Sequence, residues 1–252
     1  MNPPTPLFSY ILRQADNVLI LGQRLSEWCG HGPILEQDIA LTNFALDLIG
    51  QARSLYQYAA EVEGKGRSED DLAYLRDGFD FYNVLLVELP KGDFGHTMTR
   101  QFFFDAYNYY FYQQLQKSSD PTLAAIAEKS IKEVTYHLRY SSEWMIRLGD
   151  GTEESHRRMQ TAVDALWAYT GELYTPDAID QELLAAGIAV DLGRLQQHWQ
   201  QRVREILTAA TLDIPTETWM QKGGKQGRHT EHLGYVLAEM QYLQRTYPNS
   251  EW

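Results

Sequence analysis

Cysteine occurs once in 252 residues, at Cys29, so no internal disulfide is available and the chain suits a reducing compartment. Basic residues are scarce as well. The 22 Lys+Arg against 34 Asp+Glu leave a formal charge of -12, which repels nucleic acid and anionic membrane over most of the surface and confines any polyanion to a local basic patch. No uncharged apolar run approaches the roughly 20 residues of a membrane span. The opening Met1-Asn2-Pro3-Pro4-Thr5-Pro6 has neither a basic n-region nor an apolar h-region. The expected compartment is therefore the cytoplasm, with no nucleic-acid or membrane partner. Strand-period alternation, internal repeats and low-complexity tracts are also missing. What remains is 44% hydrophobic and 12% aromatic, ample for a sizeable core.

Helical spacing fills almost the whole chain. Thr5-Pro6 pairs a side-chain cap with proline at the first helical position, and Phe8, Ile11, Leu12, Ala15, Leu19, Leu25 and Trp28 follow at three- and four-residue steps, stopping at Gly30-His31-Gly32. Pro33 opens a second helix whose stripe reads Leu35, Ile39, Thr42, Leu46, Ile49, Leu55, Ala59 and Val62, ending at Gly64-Lys65-Gly66. The turn between the two is short enough to force an antiparallel hairpin. Ser68-Glu69-Asp70-Asp71 starts a further helix, and the run Val84 to Val87 leads to Leu89-Pro90, where a crossover is expected. Lys91 to Gly95 reads as a turn. Gln101 to Lys117 is an aromatic helix, and Asp120 to Leu148 a long, well-capped amphipathic one closed by Gly149-Asp150-Gly151. Helices capped by Thr152, then over Ala178 to Ala186, Leu192 to Ala210 and from about Thr230 to Tyr247 complete the chain, with one glycine-rich loop at Gly223 to Gly227. The fold class is all-α: a single domain with a four-helix bundle core over about residues 6–150 and appended helices over 151–252.

A four-helix bundle with buried acids raises the question of a metal. A di-iron bundle takes one Glu from each of two helices and a Glu-x-x-His pair from each of the other two, because the three-residue step puts carboxylate and imidazole on one face. The second helix contains no histidine between Pro33 and Glu63, and its mid-helix acid is Asp47. In the fourth, Glu133 is followed at three by Tyr136, with His137 one step late and rotated by roughly 100°. The other two helices offer Asp16 and Asp105, shorter than Glu. The one literal Glu-x-x-His, Glu153 to His156, falls in a first turn, where acids answer the helix dipole. The chain is thus expected to hold no metal. Asp16, Asp47, Asp105, Glu133 and His137 are expected to hydrogen-bond to one another and to arginines such as Arg13, Arg53 or Arg100, in the place metals would take. Gln101, Asp105, Asn108 and Tyr112 step by four, three and four and form one polar line in the aromatic helix. Its rings, among them Phe103, Tyr107 and Tyr110, suit either a central helix packed all round or one that also faces a second subunit.

Long strings of this sequence resemble a known family. DNVLILGQRLSEWCGHGP at 16–33, LDLIGQAR at 46–53, KEVTYHLR at 132–139, RLGDGT at 147–152, GGKQGRHTEHLG at 223–234 and LAEMQ at 237–241 are similar to the PaaC family of phenylacetyl-CoA epoxidase subunits, nearly end to end. The resemblance implies a ferritin-like fold. It also implies a non-catalytic subunit that binds no cofactor itself and stabilises a related, PaaA-like subunit, which carries the di-iron centre and epoxidises the ring of phenylacetyl-CoA. The isolated chain is open to homodimer formation. In that setting Phe103, Tyr107 and Tyr110 are candidate partner contacts. Lys222, Lys225, Arg228 and His229 either meet coenzyme A phosphates or belong to a mobile, solvated loop. The rival is a metal-dependent oxidase or hydroxylase with an irregular ligand set of its own; a third class is a storage or scaffold bundle with no enzyme partner.

Overall fold

The computed structural model describes residues 4–216, 218–248 and 250; every regular element is helical, and no strand occurs among the described residues. In chain order the helices are α1 (Pro6–Ser26), α2 (Leu35–Glu63), α3 (Glu69–Tyr74), α4 (Leu85–Glu88), α5 (Phe94–Leu115), α6 (Pro121–Gly149), α7 (Glu153–Trp167), α8 (Ala178–Ala185), α9 (Leu192–Ala209) and α10 (Glu231–Thr246). Short 3-10 turns occur at Gly78–Asp80, Gly171–Tyr174 and Gly224–Gln226. Most starts are set by one side-chain oxygen taking an orphan backbone N–H. Thr5, Asp120 and Thr152 do so as the sequence predicts, and Thr230 does so at the start of α10. Ser68 and Asp71 close a reciprocal capping box. Gly64 ends α2 in the left-handed region at φ 65°. No helix among the described residues is long and apolar enough to cross a membrane.

The chain divides into two compact units, Met1–Pro90 with Gly223–Trp252, and Lys91–Lys222. The first holds α1–α4 and α10. Here α1 and α2 form an antiparallel hairpin, since Asp16 meets Tyr56 while Gly22 lies against Ala45 and Ile49. A Cβ on Gly22 would stand 3.3 Å from the Ala45 carbonyl oxygen, so glycine sets how close the two helices come. The second unit holds a second antiparallel hairpin, α5 with α6: Phe94 meets Trp144, and Asp105 meets Ser141. Helices α7 and α9 pack on α5 and α6. The C-terminal helices therefore do not form one appended group: α7–α9 go with α5 and α6, and α10 goes with α1, α3 and α4.

Two local expectations are corrected. The Lys91 to Gly95 turn is in part helix, because Asp93 Oδ1 accepts from His96 N at 2.8 Å and starts α5 at Phe94. The stripe read along α2 is right at Leu55 and Ala59 but takes the wrong face in the first half of the helix. Its buried positions are Leu41, Phe44, Ala45, Leu48, Gln51, Ala52, Leu55, Tyr56 and Ala59, whereas Leu35, Ile39 and Leu46 are exposed. Apolar residues occupy two sides of this helix, and periodicity alone does not say which of them the core takes.

Candidate functional site

Two of the mid-helix acids, Asp16 in the first unit and Asp105 in the second, are each the centre of a buried network. In the first, Asp16 on α1 is fully buried. Its Oδ1 accepts from Tyr56 Oη of α2 at 2.6 Å and from Arg76 Nη2. Its Oδ2 accepts from Arg76 Nη1 at 3.1 Å and from the backbone N of Tyr82 at 2.8 Å. Arg76 also stacks over Phe81, 4.1 Å from the ring centre. Burial would favour loss of the guanidinium charge, but the Asp16 carboxylate outweighs it and raises the Arg76 pKa. Burial, with Asp16 beside it, holds the Tyr56 phenol well above its ordinary range. Every lone-pair direction of Asp16 thus has a donor, and the bidentate fork is the geometry a guanidinium makes with a carboxylate.

In the second unit Asp105 on α5 is the centre. Gln101 Nε2 donates to its Oδ1 at 2.7 Å, and Ser141 Oγ of α6 donates to its Oδ2 at 2.8 Å. Burial pushes the Asp105 carboxyl up to about 6 against the opposing effects of the nearby His137, Ser141 and Gln101. All four members of the polar line on this helix, Gln101, Asp105, Asn108 and Tyr112, are buried. His137 faces inward on α6 while Tyr136 is 45% exposed, so the residue at the metal-ligand spacing is the one that turns to solvent.

Asp16 is satisfied by Arg76, Tyr56 and Tyr82 rather than by Asp47, which is half-buried and nine residues before Tyr56 on α2, about 13 Å of helical rise away. Arg53 is a surface residue paired with Glu69. Glu133 is half-buried and lies close enough to Tyr112 to disfavour ionisation of that phenol. Asp105 and His137 do come together. Near Glu153, His156 Nδ1 sits 2.8 Å from the Gly149 carbonyl oxygen, a helix-end contact.

Several rings of the aromatic helix pack within its own unit. Phe103 touches Trp167 and Trp199 with ring centres 5.7 and 5.9 Å apart, Tyr107 lies between Phe104 and Phe111, and Tyr110 stacks on His198 at 5.2 Å. Phe103 and Tyr107 are buried, so neither is available as a partner contact; Tyr110 is half-buried. The cationic loop also differs from expectation. Lys225 is buried, and the His229 ring is engaged at both nitrogens by Glu88 and the Phe81 carbonyl, which leaves Lys222 and Arg228 exposed.

Sequence reasoning missed Arg76, Tyr56, Ser141 and Glu88. Glu88 carried a usable signal, a lone acid within the apolar run Val84 to Leu89. Arg76 had none, since it stands in no periodic segment.

Neither network fits a di-metal centre. Asp16 has its oxygens taken by donors, Asp105 is held by an amide and a hydroxyl, α2 has no histidine, and no group of three or more His, Cys, Asp or Glu residues able to hold a metal occurs among the described residues. The profile of the family described as phenylacetic acid catabolic protein matches residues 2–252. The chain belongs to that family. One of the subunits of the 1,2-phenylacetyl-CoA epoxidase of Escherichia coli (strain K12) is 52% identical to it over 246 residues, covering 98% of this chain and 99% of that protein. The all-helical architecture agrees with the ferritin-like fold of phenylacetic acid catabolic proteins.

In this family member the raised Asp105 carboxyl has a measurable consequence. The folded chain holds that proton more tightly than the unfolded chain does, so stability falls as pH rises from about 4 to about 6 and is level above. Asp105→Asn is expected to flatten that interval and to be as stable as the parent at neutral pH or more so, by on the order of 2 kcal/mol. The amide fits because Gln101 Oε1, which makes no hydrogen bond, accepts from it after a flip. Urea denaturation at several pH values checks this.

Proposed function

We propose that the chain is a non-catalytic, structural subunit of a multicomponent di-iron monooxygenase. Its metal-bearing partner epoxidises the ring of phenylacetyl-CoA in aerobic phenylacetate breakdown. The observation that carries the proposal is the donor set of the helices that would have to hold iron. On α2 there is no histidine, on α6 the residue three beyond Glu133 is an exposed tyrosine, and the acids Asp16 and Asp105 are occupied by an arginine fork and by Gln101 with Ser141. The name of the Escherichia coli relative, a subunit of an epoxidase acting on phenylacetyl-CoA, supports both the reaction and the assembly. The reading places the di-iron centre in a related ferritin-like subunit, the complex in the cytoplasm, and stabilisation of the catalytic subunit with this chain.

Co-expression with the metal-bearing subunit tests it. The expected result is a complex that elutes as one species, contains iron and epoxidises phenylacetyl-CoA when given a reductase. The present chain alone, grown with iron, is expected to carry far less than one iron per chain and to show no turnover. Stoichiometric iron with an oxo-bridge absorption band in the isolated chain, or turnover by it alone, overturns the proposal.

A further inference from the structure

The glycine-rich segment lies on Phe79–Glu88 of its own unit at backbone contact. A Cβ on Gly224 would stand 2.1 Å from the Asn83 carbonyl oxygen, and one on Gly227, at φ +71°, would stand 2.5 Å from the Phe79 carbonyl oxygen. Only glycine permits this approach. Two residues on, the His229 side chain is 7% exposed against a Glu88 side chain that is 0% exposed. His229 Nδ1 lies 2.7 Å from Glu88 Oε2, and Nε2 lies 2.8 Å from the Phe81 carbonyl oxygen. Glu88 is an acceptor on both oxygens: Oε1 takes the backbone N–H of Thr230 at 2.6 Å and Oε2 takes Asn83 Nδ2 at 2.8 Å. A neutral imidazole has one N–H and one lone pair, so either tautomer would turn a lone pair toward an acceptor oxygen. The imidazolium donates at both ends.

We infer that His229 is a pH-operated latch: as an imidazolium it clasps Glu88 and Phe81 and holds residues 223–230, with the first turn of α10, onto α4, and on losing its second proton it lets them go. The charged groups around it are consistent with that role. From α1 come Asp16, already held by Arg76, and Arg24, which donates to the carbonyl oxygens of Glu88 and His232 and to Glu27. From α4 comes Glu88, and from its own segment Arg228, exposed, with Glu231 and His232 in the turn beyond. Burial opposes the charge on His229, but the hydrogen bond and attraction of Glu88, the Phe81 carbonyl and Asp16 outweigh burial and raise its pKa. The latch is therefore fully closed below the ordinary histidine value of about 6.5 and opens as pH rises through the raised value of the folded chain.

Two readouts on the full-length chain test this from about pH 6 to about pH 9, a span that brackets the ordinary histidine value. Nitrogen-15 spectra of labelled histidine are expected to show His229 with both ring nitrogens protonated at neutral pH, losing a proton only above the ordinary value. Hydrogen–deuterium exchange, corrected for intrinsic base catalysis, is expected to show the amides of 224–236 losing protection severalfold over that span. In His229→Gln the same amides should be less protected at low pH and show no step. A neutral ring at neutral pH, flat protection in the parent chain, or an unchanged step in His229→Gln overturns the latch; if the variant does not fold, the ring titration of the parent decides alone.

Discussion

Replacing Asp16 with alanine is expected to cost the folded chain about 3–5 kcal/mol, the range for removing one partner of a buried ion pair. The loss comes less from the missing bonds than from what stays behind. Arg76, with its side chain 4% exposed, would keep its charge among Tyr56, Phe81 and the α1–α2 hairpin with no carboxylate to meet it, and Tyr82 would lose the acceptor for its backbone N–H. Urea unfolding with an unchanged slope is the measurement. The double variant Asp16→Ala with Arg76→Met should regain part of the loss, because an apolar side chain of similar length needs no counter-charge. A loss under about 1 kcal/mol for the single variant would mean that water or backbone movement replaces the carboxylate, contrary to the packing described.

Trp199→Ala is expected to cost a similar amount in the second unit, about 3–5 kcal/mol. Trp199 on α9 is fully buried, its Nε1 donates to the Phe103 carbonyl oxygen at 2.9 Å, and its ring meets Phe103, Trp167 and Tyr174 with centres 5.4 to 5.9 Å apart. Truncation opens a cavity where α5, α7 and α9 converge, and rigid aromatic neighbours do not collapse into such a space. Trp199→Phe, which keeps the ring contacts and gives up the N–H, should lose clearly less. Equal losses for the two variants would show that the hydrogen bond, and not the packed ring, carries the stability; urea titrations of both decide.

The helices were legible because their starts are local chemistry. Asp120-Pro121, Thr5-Pro6 and Thr152 cap within three residues of themselves, and nothing distant alters that. The start of α5 was not legible, since Gly95 reads as a breaker until Asp93 is seen capping His96. The departures from an iron ligand set were readable from spacing alone. What the buried acids bond to instead was not. Asp16 and Arg76 are 60 residues apart, and Glu88 and His229 are 141 apart, so neither pairing leaves a trace in any helical period. The buried face in the first half of α2 was illegible for a third reason: Leu35, Ile39 and Leu46 stand at helical steps, as Leu41 and Leu48 do, and only the position of neighbouring elements separates the two stripes.

The first unit is built from both ends of the chain, with 91–222 inserted between them. On a ribosome adding about 5–20 residues per second, residues 4–90 are made and then wait about 7–28 s before the first residue of α10 is added. During that pause Glu88 has no imidazole beside it, and the Ala73 and Arg76 carbonyls that Gln241 will bond are open to water. Translation of the inserted segment finishes first, so the nascent polypeptide presents a half-finished first unit, its α1–α2 hairpin made but α10 still missing, to chaperones, and a message truncated after codon 222 would leave it in that condition permanently.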